Sequence, residues 1–203
     1  VAQSMDDIAA RTGKTGAEIR AALDRARDVL FHARAGRPRP HLDDKVITAW
    51  NGMMIAAFAR AARVLVDSPR RSEWLESARG AARSLLGHDW RPGEKRLLRR
   101  NRDGEAAVDG FCEDYAFLTW GLLELFEASG EAAWLEHALE LASVQVDQFF
   151  DERDGGWSST TGRDPSVLLR LKEDYDGAEP SAASVTVRNF LVLGNLTGDA
   201  AHT

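Results

Sequence analysis

The run Trp50-Asn51-Gly52-Met53-Met54-Ile55-Ala56-Ala57-Phe58-Ala59-Arg60-Ala61-Ala62-Arg63-Val64-Leu65 decides the fold class. Trp50, Met53, Met54, Ala57, Phe58, Ala61, Val64 and Leu65 form a stripe at helical spacing. The opposite face, built from Ile55, Ala56, Ala59 and Ala62, is apolar too, so residues 50–66 are expected to form a helix packed on most sides, with Trp50 in the core. Asp67-Ser68-Pro69 stops it, with Ser68 suited to cap the next helix and Pro69 to be its first residue. That next helix places Trp74, Leu75, Ala78, Ala82, Leu85 and Leu86 on one face and Glu73, Glu76, Arg79 and Arg83 on the other, and ends at Gly87. It is amphipathic, as an outer helix would be.

The same pair recurs about sixty residues later. Tyr115, Phe117, Leu118, Trp120, Leu122, Leu123, Leu125 and Phe126 leave little polar face, so 113–128 reads as a second inner helix, stopped by Ser129-Gly130. Its amphipathic partner buries Trp134, Leu135, Ala138, Leu141, Ala142 and Phe149 and turns Glu136, His137, Glu140 and Asp147 outward. A third inner run, 185–196, ends in Thr197-Gly198-Asp199, and ahead of them all Ile19, Leu23, Ala26, Leu30 and Ala33 mark another amphipathic helix. The order reads outer, inner, three times over: an all-α chain with short strands or hairpins confined to its long loops. Those loops, 36–47, 88–110 and 151–180, all connect outer to inner helices and so gather at one end, where loops carry chemistry on a rigid scaffold.

Composition narrows the function classes. A formal net charge of −6 argues against nucleic acid or an anionic membrane as the main partner, because both reward a basic face. A single cysteine, Cys112, permits no internal disulfide, so a reducing cytoplasm is the expected compartment. No run reaches the length of a membrane span, and no signal segment opens the chain. Residues 8–19 resemble a helix-turn-helix, yet Glu18 and Asp24 would face phosphate, and a helical hairpin packing on the rest of the fold is the better account.

Each inner run is preceded by an acidic cluster: Asp43-Asp44-Lys45, Glu113-Asp114-Tyr115 and Glu173-Asp174-Tyr175-Asp176. Residues 37–52 (Arg-Pro-Arg-Pro-His-Leu-Asp-Asp-Lys-Val-Ile-Thr-Ala-Trp-Asn-Gly), 110–117 (Gly-Phe-Cys-Glu-Asp-Tyr-Ala-Phe) and 171–181 (Leu-Lys-Glu-Asp-Tyr-Asp-Gly-Ala-Glu-Pro-Ser) resemble three segments of the spermatogenesis-associated protein 20-like family, also called thioredoxin-domain-containing proteins. The resemblance runs over nearly the whole chain. It implies a six-hairpin (α/α) toroid, as in six-hairpin glycosidases and N-acylglucosamine 2-epimerases, of which three inner helices make about half. The chain is therefore expected to be a single domain, 1–203, that is a fragment of the toroid. Full-length members carry a thioredoxin-like domain; with no Cys-x-x-Cys here, that domain is expected to be absent and no redox activity is assigned. Where the family has Gly-Asn-Ser after the serine, this chain has Ala182-Ala183-Ser184, and Cys112 stands where a larger apolar residue is typical.

Candidate chemistry follows from the acidic clusters. Carboxylates near helix N-termini serve as caps and dipole partners, each contributing roughly 0.5–2 kcal/mol. One cap per helix would suffice, whereas here they come in pairs and triplets, the equipment of glycoside hydrolysis. Asp43, Asp44, Glu113, Asp114, Glu173, Asp174 and Glu179 are the candidate acid–base residues, and His41, Lys45, Trp50, Asn51, Tyr115, Trp157, Tyr175 and Ser181 the candidate substrate contacts. Lys45 fits a structural ion pair or an anionic substrate group. Trp50 and Tyr115 fit the helix stripes as well as a sugar face. Asn51 is either satisfied by backbone or displayed to the pocket, and Trp157 follows a turn-rich loop suited to a rim. Epimerase chemistry would favour histidine bases on inner helices, but His32, His88 and His137 fall on outer segments and His202 at the terminus, leaving only His41 beside an acidic cluster. No metal or cofactor is expected. The reading is a carbohydrate-active toroid, hydrolase-like or isomerase-like, with a sugar ligand; the alternative is a silent toroid that binds a ligand or partner. The open flanks of a half-toroid call for a second copy, a rearranged terminal segment or the missing remainder of the ring.

Overall fold

The computed structural model describes residues 3–199. The chain divides into two compact units, one ending at Asp43 and the other beginning at Asp44. The first is a helical hairpin, α1 (Met5–Thr12) and α2 (Gly16–Ala35). Ser4 and Thr15 each cap a helix through a reciprocal bond with the acidic residue three positions on, and Gly13 closes α1 in the left-handed conformation. The α2 helix forms where expected, but of its apolar stripe only Ile19 is buried, and Leu23 and Leu30 are exposed.

The second unit holds α3 (Thr48–Val64), α4 (Arg71–His88), α5 (Cys112–Ser129), α6 (Ala132–Phe149) and α7 (Ala182–Thr197). Helices α3, α5 and α7 lie side by side with α5 in the middle, while α4 packs on α3 and α5, and α6 packs on α5. The 88–110 connection carries β2 (Trp90–Arg91), β3 (Arg96–Arg102) and β4 (Glu105–Asp109), and β1 (Val46–Ile47) precedes α3. All pair antiparallel around β3, in registers Val46↔Asn101, Trp90↔Leu97 and Leu98↔Asp109. The sheet is anchored on the helices by Thr48 Oγ1, which donates to the Leu98 carbonyl at 2.7 Å, and by the Tyr115 hydroxyl, which accepts from Leu97 N at 2.9 Å. Among the described residues no helix is long and apolar enough to cross a membrane.

Glycine sets how α3 meets α5. A Cβ on Gly52 would stand 2.5 Å from the Phe117 carbonyl carbon, and one on Gly121 would stand 2.7 Å from the Gly52 oxygen. Only two glycines admit this backbone-to-backbone approach. It turns the small face of α3 (Ala49, Gly52, Ile55, Ala56, Ala59, Ala62) into the core and leaves the bulky stripe on the flank. Trp50 is therefore 61% exposed, not core, and Met54, Val64 and Leu65 are also exposed. The other end of the row is open as well, with Val187 and Leu191 of α7 exposed.

Turn chemistry corrects a second expectation. Ser68 and Pro69 do not begin α4: Arg71 N donates to the Ser68 carbonyl, so a turn intervenes and the helix starts at Arg71 with Arg70 as its uncapped N-cap. The Arg71 side chain instead reaches back to the Ala62 carbonyl, satisfying the end of α3. The α4 helix runs one residue past Gly87, to His88.

Candidate functional site

The N-terminal end of α5 is built around a buried carboxylate. Asp114 is fully buried. It accepts from Phe111 N at 2.8 Å, from Ala49 N at 3.0 Å and from the Arg99 guanidinium at 2.9 Å, so one side chain caps α5, ties down the start of α3 and receives a strand arginine. Burial pushes its carboxyl up to about 6, against the opposing pull of Arg99 and the two backbone amides. Arg99 also pairs with Glu113 at 2.7 Å and lies over the Phe111 ring, with its guanidinium carbon 4.3 Å from the ring centroid.

The loop entering α7 folds over this platform. Cys112 N donates to the Ser159 carbonyl and Ser159 N to the Leu171 carbonyl, drawing the loop across the start of α5. Arg170 donates to the carbonyls of Thr160 and Gln148. Lys172 pairs with Asp151 at 2.7 Å, and with the amides of Asp154 and Arg153 it holds the Asp151 carboxyl down at about 2. Asp176 accepts from Ser181 N and Ser184 Oγ, and Ser181 Oγ accepts from Ser184 N, so these residues cap α7. Trp157 is wedged between Phe150 and Phe190, at centroid distances of 5.2 and 5.7 Å.

Two adjoining cavities result, of about 270 and about 450 Å³. The smaller is lined by Arg99, Phe111, Glu113, Trp157, Thr160 and Glu173, and the larger by Trp50, Glu113, Glu173, Tyr175, Glu179 and Ser181. Glu113 and Glu173 line both. Three of the acidic candidates and four of the substrate-contact candidates, the exposed indole of Trp50 among them, thus converge. The same arrangement brings two loop carboxylates to a cavity that also contains one helix carboxylate, which an arginine holds in position.

Other candidates stand elsewhere. Asp44 pairs with Arg102 at 2.7 Å, and Asp174 and Lys45 are exposed. Asn51 donates to the Ile47 carbonyl at 2.9 Å and so has a backbone partner at the start of α3. Tyr115 is core, its ring against Phe149. Asp43 and His41 belong to the unit ending at Asp43 and are exposed there. Among the described residues no histidine lines either cavity; His88 bonds the Ser84 carbonyl through Nδ1, and His202 lies outside the described residues. Among the described residues no group of three or more His, Cys, Asp or Glu side chains is gathered in a metal-binding arrangement. The Cys112 thiol borders the smaller cavity, and burial pushes it up to about 11, which keeps it protonated at neutral pH.

Sequence reasoning missed Arg99, which orients Glu113, and Glu124, a carboxylate 1% exposed on α5 that takes Arg60, Arg63 and Arg188. The signal was there: Glu124 is the lone charge in Leu122-Leu123-Glu124-Leu125-Phe126, and Arg60 and Arg63 sit one turn apart in an otherwise apolar helix.

No family model matches the chain. Spermatogenesis-associated protein 20 of Homo sapiens is 40% identical over 207 residues, 98% of this chain, and the Mus musculus protein is 40% identical over the same length. The chain spans only 26% of either relative, about a quarter of its length. The family resemblance read from the three acidic segments therefore holds along nearly the whole chain. Among solved structures, cellobiose 2-epimerase from Bacillus thermoamylovorans superposes with a TM-score of 0.64 at 16% identity, covering 81% of this chain and 43% of the enzyme. A GH76 alpha-mannanase from Bacteroides thetaiotaomicron gives 0.60 at 16% identity over 80% and 43%. Cellobiose 2-epimerase from Spirochaeta thermophila gives 0.59 at 19% identity over 78% and 40%. At these identities the likeness is one of fold: the chain has the architecture of part of an (α/α)6 toroid.

Proposed function

We propose, for a chain akin over nearly its whole length to spermatogenesis-associated protein 20, that it is part of a carbohydrate-active toroid whose sugar site is the double cavity at the N-terminal end of α3, α5 and α7. The observation that carries this reading is the convergence of Glu113, Glu173 and Glu179 with Trp50, Trp157 and Tyr175 on two adjoining cavities. A sugar offers hydroxyl donors to carboxylates and an apolar ring face to aromatics, and this lining matches both. The fold shared with sugar epimerases and a mannanase supports the same class.

Within that class, carboxylate chemistry is favoured over histidine-mediated epimerisation, because among the described residues the cavities are lined by glutamates and by no histidine. Glu113, positioned by Arg99, is the proposed base or nucleophile, and Glu173 or Glu179, carried on the loop, the proposed acid. The exposed apolar flanks of α3 and α7 are where the remaining hairpins of the ring, or a second copy, would pack. The alternative, a silent ligand-binding toroid, draws on the structural employment of Asp44, Asp114, Asn51 and Tyr115.

Thermal-shift and titration experiments with a panel of mono- and disaccharides, on this chain and on the full-length parent, test the proposal. A saturable stabilisation by at least one sugar is expected, abolished in a Glu113→Gln/Glu173→Gln variant that still melts cooperatively. A full-length protein that no sugar stabilises, or a response that survives the double substitution, refutes it. Turnover of the bound sugar that is lost in Glu173→Gln or Glu179→Gln separates the enzyme from the silent toroid.

A further inference from the structure

The two cavities at the start of α5 meet on a shared boundary. Glu113 from the first turn of α5, Glu173 from the loop and Ala182 from the first turn of α7 line both of them. No bulky residue stands among the three. Ala182 is small, and Glu173 is exposed and carries no ion pair among the described residues.

On either side of that boundary the same chemistry is repeated. The smaller cavity has the rings of Phe111 and Trp157 with the Arg99 guanidinium, and the larger has the rings of Trp50 and Tyr175 with the Glu179 carboxylate. Each side therefore offers one apolar face and one polar group, which is what a single pyranose ring presents in return. Volume points to joint occupancy. A small-molecule site holds about 300–1,000 Å³. The smaller cavity, at about 270 Å³, falls short of that alone, and joined to its neighbour of about 450 Å³ it falls inside the range. A carboxylate has two accepting oxygens, so a glutamate on the boundary can take a hydroxyl donor from each side at once.

We infer, building on the sugar reading above, that the site takes a disaccharide, with one ring in each cavity and the glycosidic oxygen at the boundary between Glu113 and Glu173. Glu173 is then the loop carboxylate at the linkage and contacts hydroxyls of both rings, whereas Glu179 contacts only the ring in the larger cavity. Trp157 borders one ring and Trp50 the other. Once the first ring is seated, the second binds as a tethered group at high effective concentration, so the disaccharide holds more tightly than either of its halves.

The test uses the chain labelled with ¹⁵N at tryptophan, in which the indole signals of Trp50 and Trp157 report the larger and the smaller cavity separately; they are assigned with Trp50→Phe and Trp157→Phe. Maltose, cellobiose and 1,4-mannobiose are the probes, with glucose and mannose as the single-ring controls. At least one disaccharide is expected to move both signals along one saturation curve and to bind about tenfold or more tighter than its monosaccharide. Glu173→Gln should weaken that disaccharide more than Glu179→Gln does, because it touches two rings and not one. Both substitutions are on exposed side chains, so the fold is not at stake. A monosaccharide that binds as tightly as its disaccharide, or a disaccharide that moves only one of the two signals, overturns the paired occupancy while leaving a single-ring sugar site standing. Equal losses in the two glutamine variants overturn the placing of Glu173 at the linkage. No mono- or disaccharide moving either signal at millimolar concentration overturns the sugar reading itself, and this inference with it.

Discussion

Glu124→Gln is expected to destabilise the unit that begins at Asp44 by about 2–3 kcal/mol. The carboxylate is 1% exposed at the middle of the α3–α5–α7 row. Oε1 accepts from Arg188 at 2.6 Å, Arg60 at 2.9 Å and Trp120 Nε1 at 3.3 Å, and Oε2 accepts from Arg63 at 3.0 Å. One α5 side chain thereby holds both neighbouring helices. Breaking a fully buried ion pair costs about 3–5 kcal/mol. The guanidinium partners, however, are 52%, 36% and 36% exposed and regain water when released, which moves the expectation below that range. Glutamine keeps the volume but removes the charge and turns an amide donor toward donors. At roughly 2–4 °C per kcal/mol for a chain of this size, the melting temperature should fall by about 5–10 °C. Tryptophan fluorescence in urea is the assay, because all six tryptophans lie in this unit and report it alone. A double-mutant cycle with Arg188→Gln should give a coupling above about 1 kcal/mol, since the partners touch. A Glu124→Gln loss under about 0.5 kcal/mol, or strict additivity with Arg188→Gln, refutes the account of Glu124 as the clasp of the row.

Gly52→Ala and Gly121→Ala should each cost at least about 3 kcal/mol or prevent folding, because the new methyl meets backbone that cannot step aside; melts within about 1 kcal/mol of wild type would contradict the close approach of α3 and α5. Asp114 titrates in the folded state at about 6, above its ordinary value of 3.8, so the folded state binds the extra proton between those values. Stability measured relative to Asp114→Asn should therefore be greatest below pH 4 and fall by about 3 kcal/mol as pH rises through 6, and a flat or rising difference would show that Arg99 dominates burial. Trp50→Ser and Leu191→Glu, on the open flanks of α3 and α7, should change monomer stability by less than about 0.5 kcal/mol while reducing self-association in analytical ultracentrifugation; a strictly monomeric wild-type chain contradicts this.

Helices and their layer order are legible in the sequence because they depend on period and on stop signals, and both are local. The runs beginning near Trp50, Glu113 and Val185 fold within three residues of their expected bounds, and the stops at Gly130 and Gly198 are left-handed caps. Facing within a helix that is apolar all round is not local. For α3 both faces scored alike, and what chose between them was a contact with Gly121, sixty-nine positions away by the numbering of Gly52. Size alone would have put Trp50 in the core, whereas backbone proximity rewards the smaller side and sends the tryptophan to the pocket rim.

The same distinction governs the site. That acidic loops gather at one end follows from the alternation of short and long connections, and Glu113, Glu173 and Glu179 do meet there. Which member of each pair faces the cavity depends on helix phase. Asp114 sits at the third helical position, where its carboxylate reaches back to Phe111 N, and Glu113 is turned to the opening by being one residue earlier. A pair of adjacent carboxylates at a helix start is thereby divided: one caps the helix, the other points outward, held by Arg99. The same division predicts that Glu113→Gln preserves the fold and alters ligand binding, while Asp114→Ala damages the fold first, by leaving the Phe111 and Ala49 amides and Arg99 without their acceptor. Equal loss of stability in the two variants would show that the helix start does not separate the roles, and Glu113 would then lose its standing as a site residue.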